Sequence, residues 1–561
     1  MIAPSFSWKV YNRHLRDISL QSGERAQNEK IALLNSVPDF HIGTAKEILI
    51  YHDTLLLMFA WPENKELGEL AKKALNELIN FLKKIIPLDK VLETNLSLSG
   101  ISGTEITGRF SYSITRWLVN EFGASIKLHS SEAEPETVKL FFRQMISSVE
   151  YEIISSKELT LIQRIRKLKG ESPLTGIKWL INLFETSLLP YPAKEFLFNE
   201  LKIFVTWKLD QPVLNRSFIR IPVDKIFYHQ KLNKTPDFEK ILTSKLPAPK
   251  RLTPAEQQHL VHVAKATLVF IHRETDPFTF ASPEAMDLFE LERGFQVGLY
   301  TLKPEQRLSI ESYIGYLVFK NGIPVSYGGG WIFGERCQFG INILEPFRGG
   351  ESAYIFSQLI RLYYQYFGAK RFVVKPYQFG KNNKEALQAG AFWFYYKQGF
   401  RPENEHIHKM AAAEWEKKKA DKQYRSSVEL LKKFTHSNLV LLLSKNPVPH
   451  FDASKISLGV TDFINKKFSG NRALALADAE KKIKKEFPVG KLSGWTVPER
   501  KILQQWCLLI RATLSVHNWS HKEKKQFISL LKSKGDTHER NFIRLLQKHR
   551  RFWKDLEKQF N

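Results

Sequence analysis

The chain has 561 residues, more than one ordinary hydrophobic core holds, so its length predicts roughly two to four domains. Apolar residues make up 43% and charged residues 25%, a globular balance, and 29 Gly with 25 Pro exclude a low-complexity or collagenous chain. Lys plus Arg outnumber Asp plus Glu by 84 to 58, a net charge of +26. That excess excludes an acidic solvating protein but does not by itself establish a nucleic-acid binder.

The 2 cysteines, Cys337 and Cys507, lie far apart and outside any CxxC pattern, which excludes a disulfide framework or thiolate zinc site. The opening MIAPSFSWKVYNRHL lacks the apolar run of a signal peptide. The longest apolar stretches, Leu55 to Trp61 and Leu439 to Leu443, fall far short of the ~18 residues a membrane span needs. Together these features predict a soluble, cytoplasmic protein without a membrane-spanning segment.

Four regions follow in chain order. Residues 1–235 read as a mainly helical N-terminal domain: 66–85 carries Leu67, Leu70, Ala71, Ala74, Leu78 and Leu82 near the 3.6 period. A second helix from Phe110 is predicted to end at Gly123, and Leu201–Leu209 is β-branched and aromatic like a strand. Thr104, Ser111 and Ser113 suit capping or turns better than substrate contact. Residues 236–258, rich in proline and charge, read as a linker or a short capped helix.

Residues 259–405 change period twice. A strand, an Asn321-Gly322 turn and a second strand form a hairpin, with Pro324 placing the second strand's start just beyond it or where no ladder donor is needed. Cys337–Phe347 continues as a strand. A long apolar-faced helix runs from the Arg348-Gly349-Gly350 turn to Gly368; KRFVVKPY is a strand, and EALQAGAFWFYYKQG a helix ending at Gly399. Residues 406–561 form a basic helical C-terminal region, and residues 411–561 carry 17 of the 26 excess charges. A solvated lysine-rich face explains such a pattern; weak polyanion binding is the functional alternative.

The chemistry concentrates where a strand meets a helix through glycines. Free N–H groups at a helix start converge on an anion, and glycine lets the backbone approach a phosphate without a Cβ between. Arg348 adds a bidentate donor. Neither GxxxxGK[ST] nor GxGxxG occurs, so P-loop and dinucleotide sites are excluded, as are GxSxG and HExxH mechanisms. The pairs His259/His262 and His406/His408 lack a third ligand at recognisable spacing.

This ordered set resembles the GCN5-related N-acetyltransferases (GNAT superfamily), whose Q/R-x-x-G-x-G/A loop covers the pyrophosphate of acetyl-CoA between a strand and a helix. Here the loop reads Arg348-Gly349-Gly350-Glu351-Ser352-Ala353, and the family's Tyr-x-x-x-Gly-Phe ending reads Tyr395 to Gly399-Phe400. The resemblance covers about 150 residues and implies a mixed-sheet acyl-CoA N-acyltransferase core with helical flanks. It implies acetyl-CoA as co-substrate, an amine-bearing small molecule or protein as acceptor, and Tyr395 as the acid protonating the leaving thiolate. Among carboxylates able to serve as the amine's general base, Glu345 at the strand's end leads Glu335 and Glu311. Two positions depart from the family. Glu351 stands where glycine is expected, and a carboxylate facing pyrophosphate repels it; Gln388 replaces a usual asparagine, with Asn382 and Asn383 nearby. These departures keep open a noncatalytic alternative, an interaction or nucleic-acid-associated protein on a degenerate scaffold. Acceptor identity and oligomeric state are not legible.

Overall fold

The computed structural model describes residues 8–36, 44–156, 158–210, 213–421, 423–446, 448 and 451–560; the opening residues 1–7 lie outside them. A small antiparallel sheet forms from β1 (Glu105–Gly108), β2 (Ile126–Ser131) and β3 (Ile203–Lys208), in the order β1-β3-β2. Its third strand is the aromatic stretch expected at 201–209. The predicted helices are present as Lys65–Ile85 and Tyr112–Phe122, the latter capped at Gly123, where φ of 50° favours a residue without Cβ.

The central sheet has eight strands. They are β4 (Asp287–Glu290), β5 (Phe295–Thr301), β6 (Ser312–Lys320), β7 (Ile323–Phe333), β8 (Arg336–Ile343), β9 (Arg371–Val374), β10 (Arg401–Pro402) and β11 (Leu439–Leu442). The spatial order is β10-β11-β9-β8-β7-β6-β5-β4, antiparallel throughout except for the parallel pair β8 and β9. Asn321 and Gly322 make the two-residue β6–β7 turn with φ of 49° and 82°, both left-handed as such a turn requires. Pro324 lies inside β7 rather than before it. It pairs with Phe319 beside a register shift in the ladder, the irregularity that tolerates its missing N–H.

Between β8 and β9 the chain crosses over through α3 (Ser352–Leu362), numbered after α1 (Ala45–Ala60) and α2 (Pro254–Val269). This helix buries Ile355, Phe356, Leu359 and Ile360, with Phe356 edge-on to Phe339 of β8. A single π-helical turn, Tyr363–Phe367, ends it at Gly368. One continuous core joins the N-terminal helices, the α3 side of the sheet and the C-terminal helices. A second core packs α2 and the small sheet around Tyr300, Leu317 and Phe319 on the other side.

A mixed α/β core with a helical N-terminal and a helical C-terminal flank is therefore the architecture, with three local corrections and the short capped helix of the 236–258 stretch also present. The strand expected over 337–347 ends at Ile343, and Glu345–Phe347 is a 3-10 turn. The helix expected over 385–399 is two: α4 (Lys384–Gln388) and α5 (Ala391–Lys397), separated by the left-handed Gly390. The linker carries a helix, Phe238–Thr243, and is bound to the core where Gln365 donates to the carbonyls of Leu242 and Ser244. Most consequentially, β11 comes from beyond residue 405 yet lies between β9 and β10. The basic region thus completes the central sheet. A chain ending at 405 leaves the β9 edge unpaired and its apolar faces open. It should aggregate or lose its cooperative thermal transition, as size-exclusion chromatography and circular dichroism would show.

Candidate functional site

The pairing of β8 with its two neighbours ends at different places. Against β7 it continues to Ile343, opposite Ser326, but against β9 it stops at Gln338, opposite Val373. Beyond Val374 the chain turns into the 3-10 segment Pro376–Phe379, which opens with a residue lacking a donor. Residues 339–343 therefore line a split in the sheet. A Cβ on Gly340 would come within 2.9 Å of the Gln378 side chain, so only glycine lets that residue lie against the strand.

Tyr395 reaches this split from α5. Its ring is buried against Phe356, Phe394 and Phe400, and its oxygen accepts a hydrogen bond from the Ile341 N–H. Burial raises the phenol well above its ordinary value. The group stays protonated at neutral pH with its own hydrogen available.

The loop closes the same end of the split. Gly349 has φ of 89°, a left-handed conformation that disfavours a side chain, and a Cβ on Gly350 would approach the Phe347 carbonyl to 3.2 Å. Ser352 and Ala353 open α3, and no hydrogen bond among the described residues takes their amides. Arg348 is exposed and pairs with Glu385 of α4 at 2.6 Å, a surface contact weak enough to exchange for another anion. Loop, split and Tyr395 converge at one end of the sheet.

Glu351 does not face that end. Its side chain is fully buried and accepts from the Trp61 indole at 2.9 Å, the Asn233 amide at 2.6 Å, and Arg293, with Lys320 Nζ at 3.9 Å. The negative charge expected to oppose a bound pyrophosphate is thus spent on an inward cation cluster. Burial lowers the Lys320 pKa to about 7, assisted by Arg293 and opposed by Glu351. Nothing in the loop motif signalled these partners, which come from four separate stretches of chain.

The competing carboxylates separate cleanly. Glu335 sits in the β7–β8 turn, paired with Lys370 at 2.5 Å, and Glu311 precedes β6, paired with Arg336 at 3.4 Å. Both lie at the end of the sheet opposite the loop. Glu345 alone is beside it, exposed, on the wall of a cavity of about 290 Å³ between the loop, α1 and the end of α2. Gln388 is exposed, and Asn383 is occupied as the cap of α4, accepting from the Ala386 amide.

The remaining sequence candidates are structural. Thr104 Oγ1 donates to the Ile101 carbonyl, Ser111 caps the helix Tyr112–Phe122, and Ser113 bonds Glu195. Cys337 and Cys507 are buried; burial raises both thiols, the second to about 12, so neither is a ready nucleophile. No metal-holding cluster occurs among the described residues. One array escaped sequence reading because its members are 165 residues apart: Ser217 Oγ lies 2.9 Å from His52 Nε2, and His52 Nδ1 3.0 Å from Asp53. The order is that of a serine-hydrolase relay. However, the serine oxygen already accepts the Ser102 amide, Arg216 holds Asp53, and burial lowers the basicity of His52. It acts as a strut between α1 and the 215–218 segment.

No protein-family model, curated protein or solved structure matches this chain. The architecture, a mixed sheet flanked by helices with a crossover helix behind a glycine loop, accords with a GNAT-like arrangement.

Removing the Glu351 charge strands Arg293 and Lys320 in the core. Glu351→Gln should destabilise the protein by about 3–5 kcal/mol, read from the midpoint of urea unfolding.

Proposed function

We propose that the chain is an acyl-CoA-dependent N-acyltransferase acting on an amine. The observation that carries this reading is the coincidence, at one sheet end, of the open β8–β9 split, the Gly349–Gly350 loop and the Tyr395 hydroxyl. Each has a distinct task. Unpaired amides of Ser352 and Ala353 face the helix start, where the dipole favours a pyrophosphate, and Arg348 adds a mobile cation. The split gives an extended thioester arm a strand edge to lie along. The Tyr395 hydrogen is free to donate to the departing sulfur.

Burial refines that last role. A phenol held well above its usual pKa gives up its proton reluctantly, so Tyr395 serves by hydrogen bonding to developing thiolate charge more than by complete transfer. The direct product is an amide. The C–N bond forms as the C–S bond breaks, and coenzyme A leaves as the thiol. Acetyl-CoA is the donor we propose.

The noncatalytic alternative loses its main motive once Glu351 is seen to turn inward. The other departure, Gln388, is exposed and stands as before, and part of the basic tail that would be the docking surface packs at the far end of the sheet. There Lys534 donates to the Glu311 carbonyl, and Gln547 to the carbonyl of Gly334 in the β7–β8 turn.

Calorimetric titration of the full chain with acetyl-CoA tests the proposal. Saturable binding is expected, weakened about tenfold by Arg348→Ala, the loss of one partly exposed charge-assisted contact. Tyr395→Phe should lower coenzyme A release while leaving that affinity within about threefold. Absence of binding at millimolar ligand would refute the reading.

A further inference from the structure

The cavity beside the loop is enclosed by parts that sequence reading assigned to different domains. Leu344, Glu345 and Phe347 form one wall, Leu56 of α1 another, and Phe270 with His272 at the end of α2 a third. Leu344 follows Ile341 by three residues, about 10 Å of extended strand. The cavity therefore borders the segment that continues β8 beyond the Tyr395–Ile341 contact. At about 290 Å³ it sits at the lower bound of small-molecule sites, too small for a folded protein segment.

Its charges are uneven. Arg216 lies in the wall, but it donates to both Asp53 oxygens at 2.7 Å and to the Ser99 carbonyl, so its charge is met. Glu345 has no ion pair among the described residues. It leaves the cavity a net attraction for a cation.

His272 occupies a position that backbone geometry would give to glycine. At the end of α2 the Arg273 amide bonds the Leu268 carbonyl and the His272 amide bonds that of Val269, both at 3.0 Å. This pair of bonds is a Schellman ending, and its left-handed residue is His272, with φ of 51°. A side chain there costs conformational energy that glycine would avoid. The imidazole stacks on Phe110 and lines the cavity, and its partial desolvation lowers its pKa.

Resting on the acyltransferase reading, we propose that this cavity is the acceptor subsite, taking a small primary amine with an apolar body, its ammonium held by Glu345 and deprotonated by His272. The imidazole accepts one ammonium proton and returns it to solvent. The freed lone pair forms the C–N bond as the C–S bond breaks, and the second nitrogen proton ends on the coenzyme A sulfur.

The test uses the full chain with phenethylamine as probe and 2-phenylethanol as its uncharged control. Calorimetry without acetyl-CoA should show phenethylamine binding, weakened at least about tenfold by Glu345→Gln, and the alcohol binding no better than to that variant. His272→Gly removes the Phe110 stack but relieves the left-handed backbone, so the protein should stay folded and still bind phenethylamine, weakened by no more than about threefold. It should also reduce phenethylamine-dependent coenzyme A release at least about tenfold. Absence of phenethylamine binding at millimolar concentration, equal binding to Glu345→Gln, or unchanged turnover in His272→Gly would overturn the assignment. Acetyl-CoA binding without amine binding would overturn the subsite alone. Glu345-dependent amine binding without acetyl-CoA binding would support the ammonium site while refuting the transferase reading.

Discussion

Much of this molecule hangs on one buried carboxylate. Glu351 stands at the start of α3, fully removed from solvent, and its two oxygens gather an indole, a backbone amide and two cations. Those partners belong to the end of α1, the segment after 230, the β4–β5 turn and β6. Ion pairing in a dry interior is no strong source of net stability, because desolvation offsets the Coulomb gain. Its contribution is positional. Once the carboxylate is buried, leaving any partner unpaired is costly, so the four stretches are held in one relation and α3 is fixed at its first residue.

That fixation orders the site. With the Glu351 side chain drawn inward, the loop joins β8 to α3 without a charge facing the helix start. N-terminal helices support it from behind: Leu20 lies against Gly349, Trp61 against Phe347, and Arg16 donates to the Pro346 carbonyl. The departure from the family pattern is thus accommodated by a third dimension that a linear motif does not show.

Local order was well recorded in the sequence. The Asn-Gly hairpin, the apolar stripe of α3, the strand at 371–374 and the capped helix ending at Gly123 all follow from residue types at short range, and all are present. Glu345 leads the carboxylates from strand position alone, and geometry sets its rivals Glu335 and Glu311 at the opposite end of the sheet. What stayed hidden was long-range. β11 read as one more apolar run in a basic tail because nothing in LVLL names its neighbours, β9 and β10. Nothing in the sequence marks His272, because its left-handed backbone leaves no trace in composition. Charge does not tell which lysines face solvent: among those after 410, Lys534 is buried and donates to the Glu311 carbonyl.

The central claim is that the amides of the glycine loop and the first turn of α3 bind the phosphates of an acyl-CoA. Hydrogen–deuterium exchange of the full chain, with and without saturating acetyl-CoA, reads those amides directly. The account predicts slowed exchange across residues 349–353, with the distant β7–β8 turn unchanged. Exchange at 349–353 that is the same in both samples would contradict it.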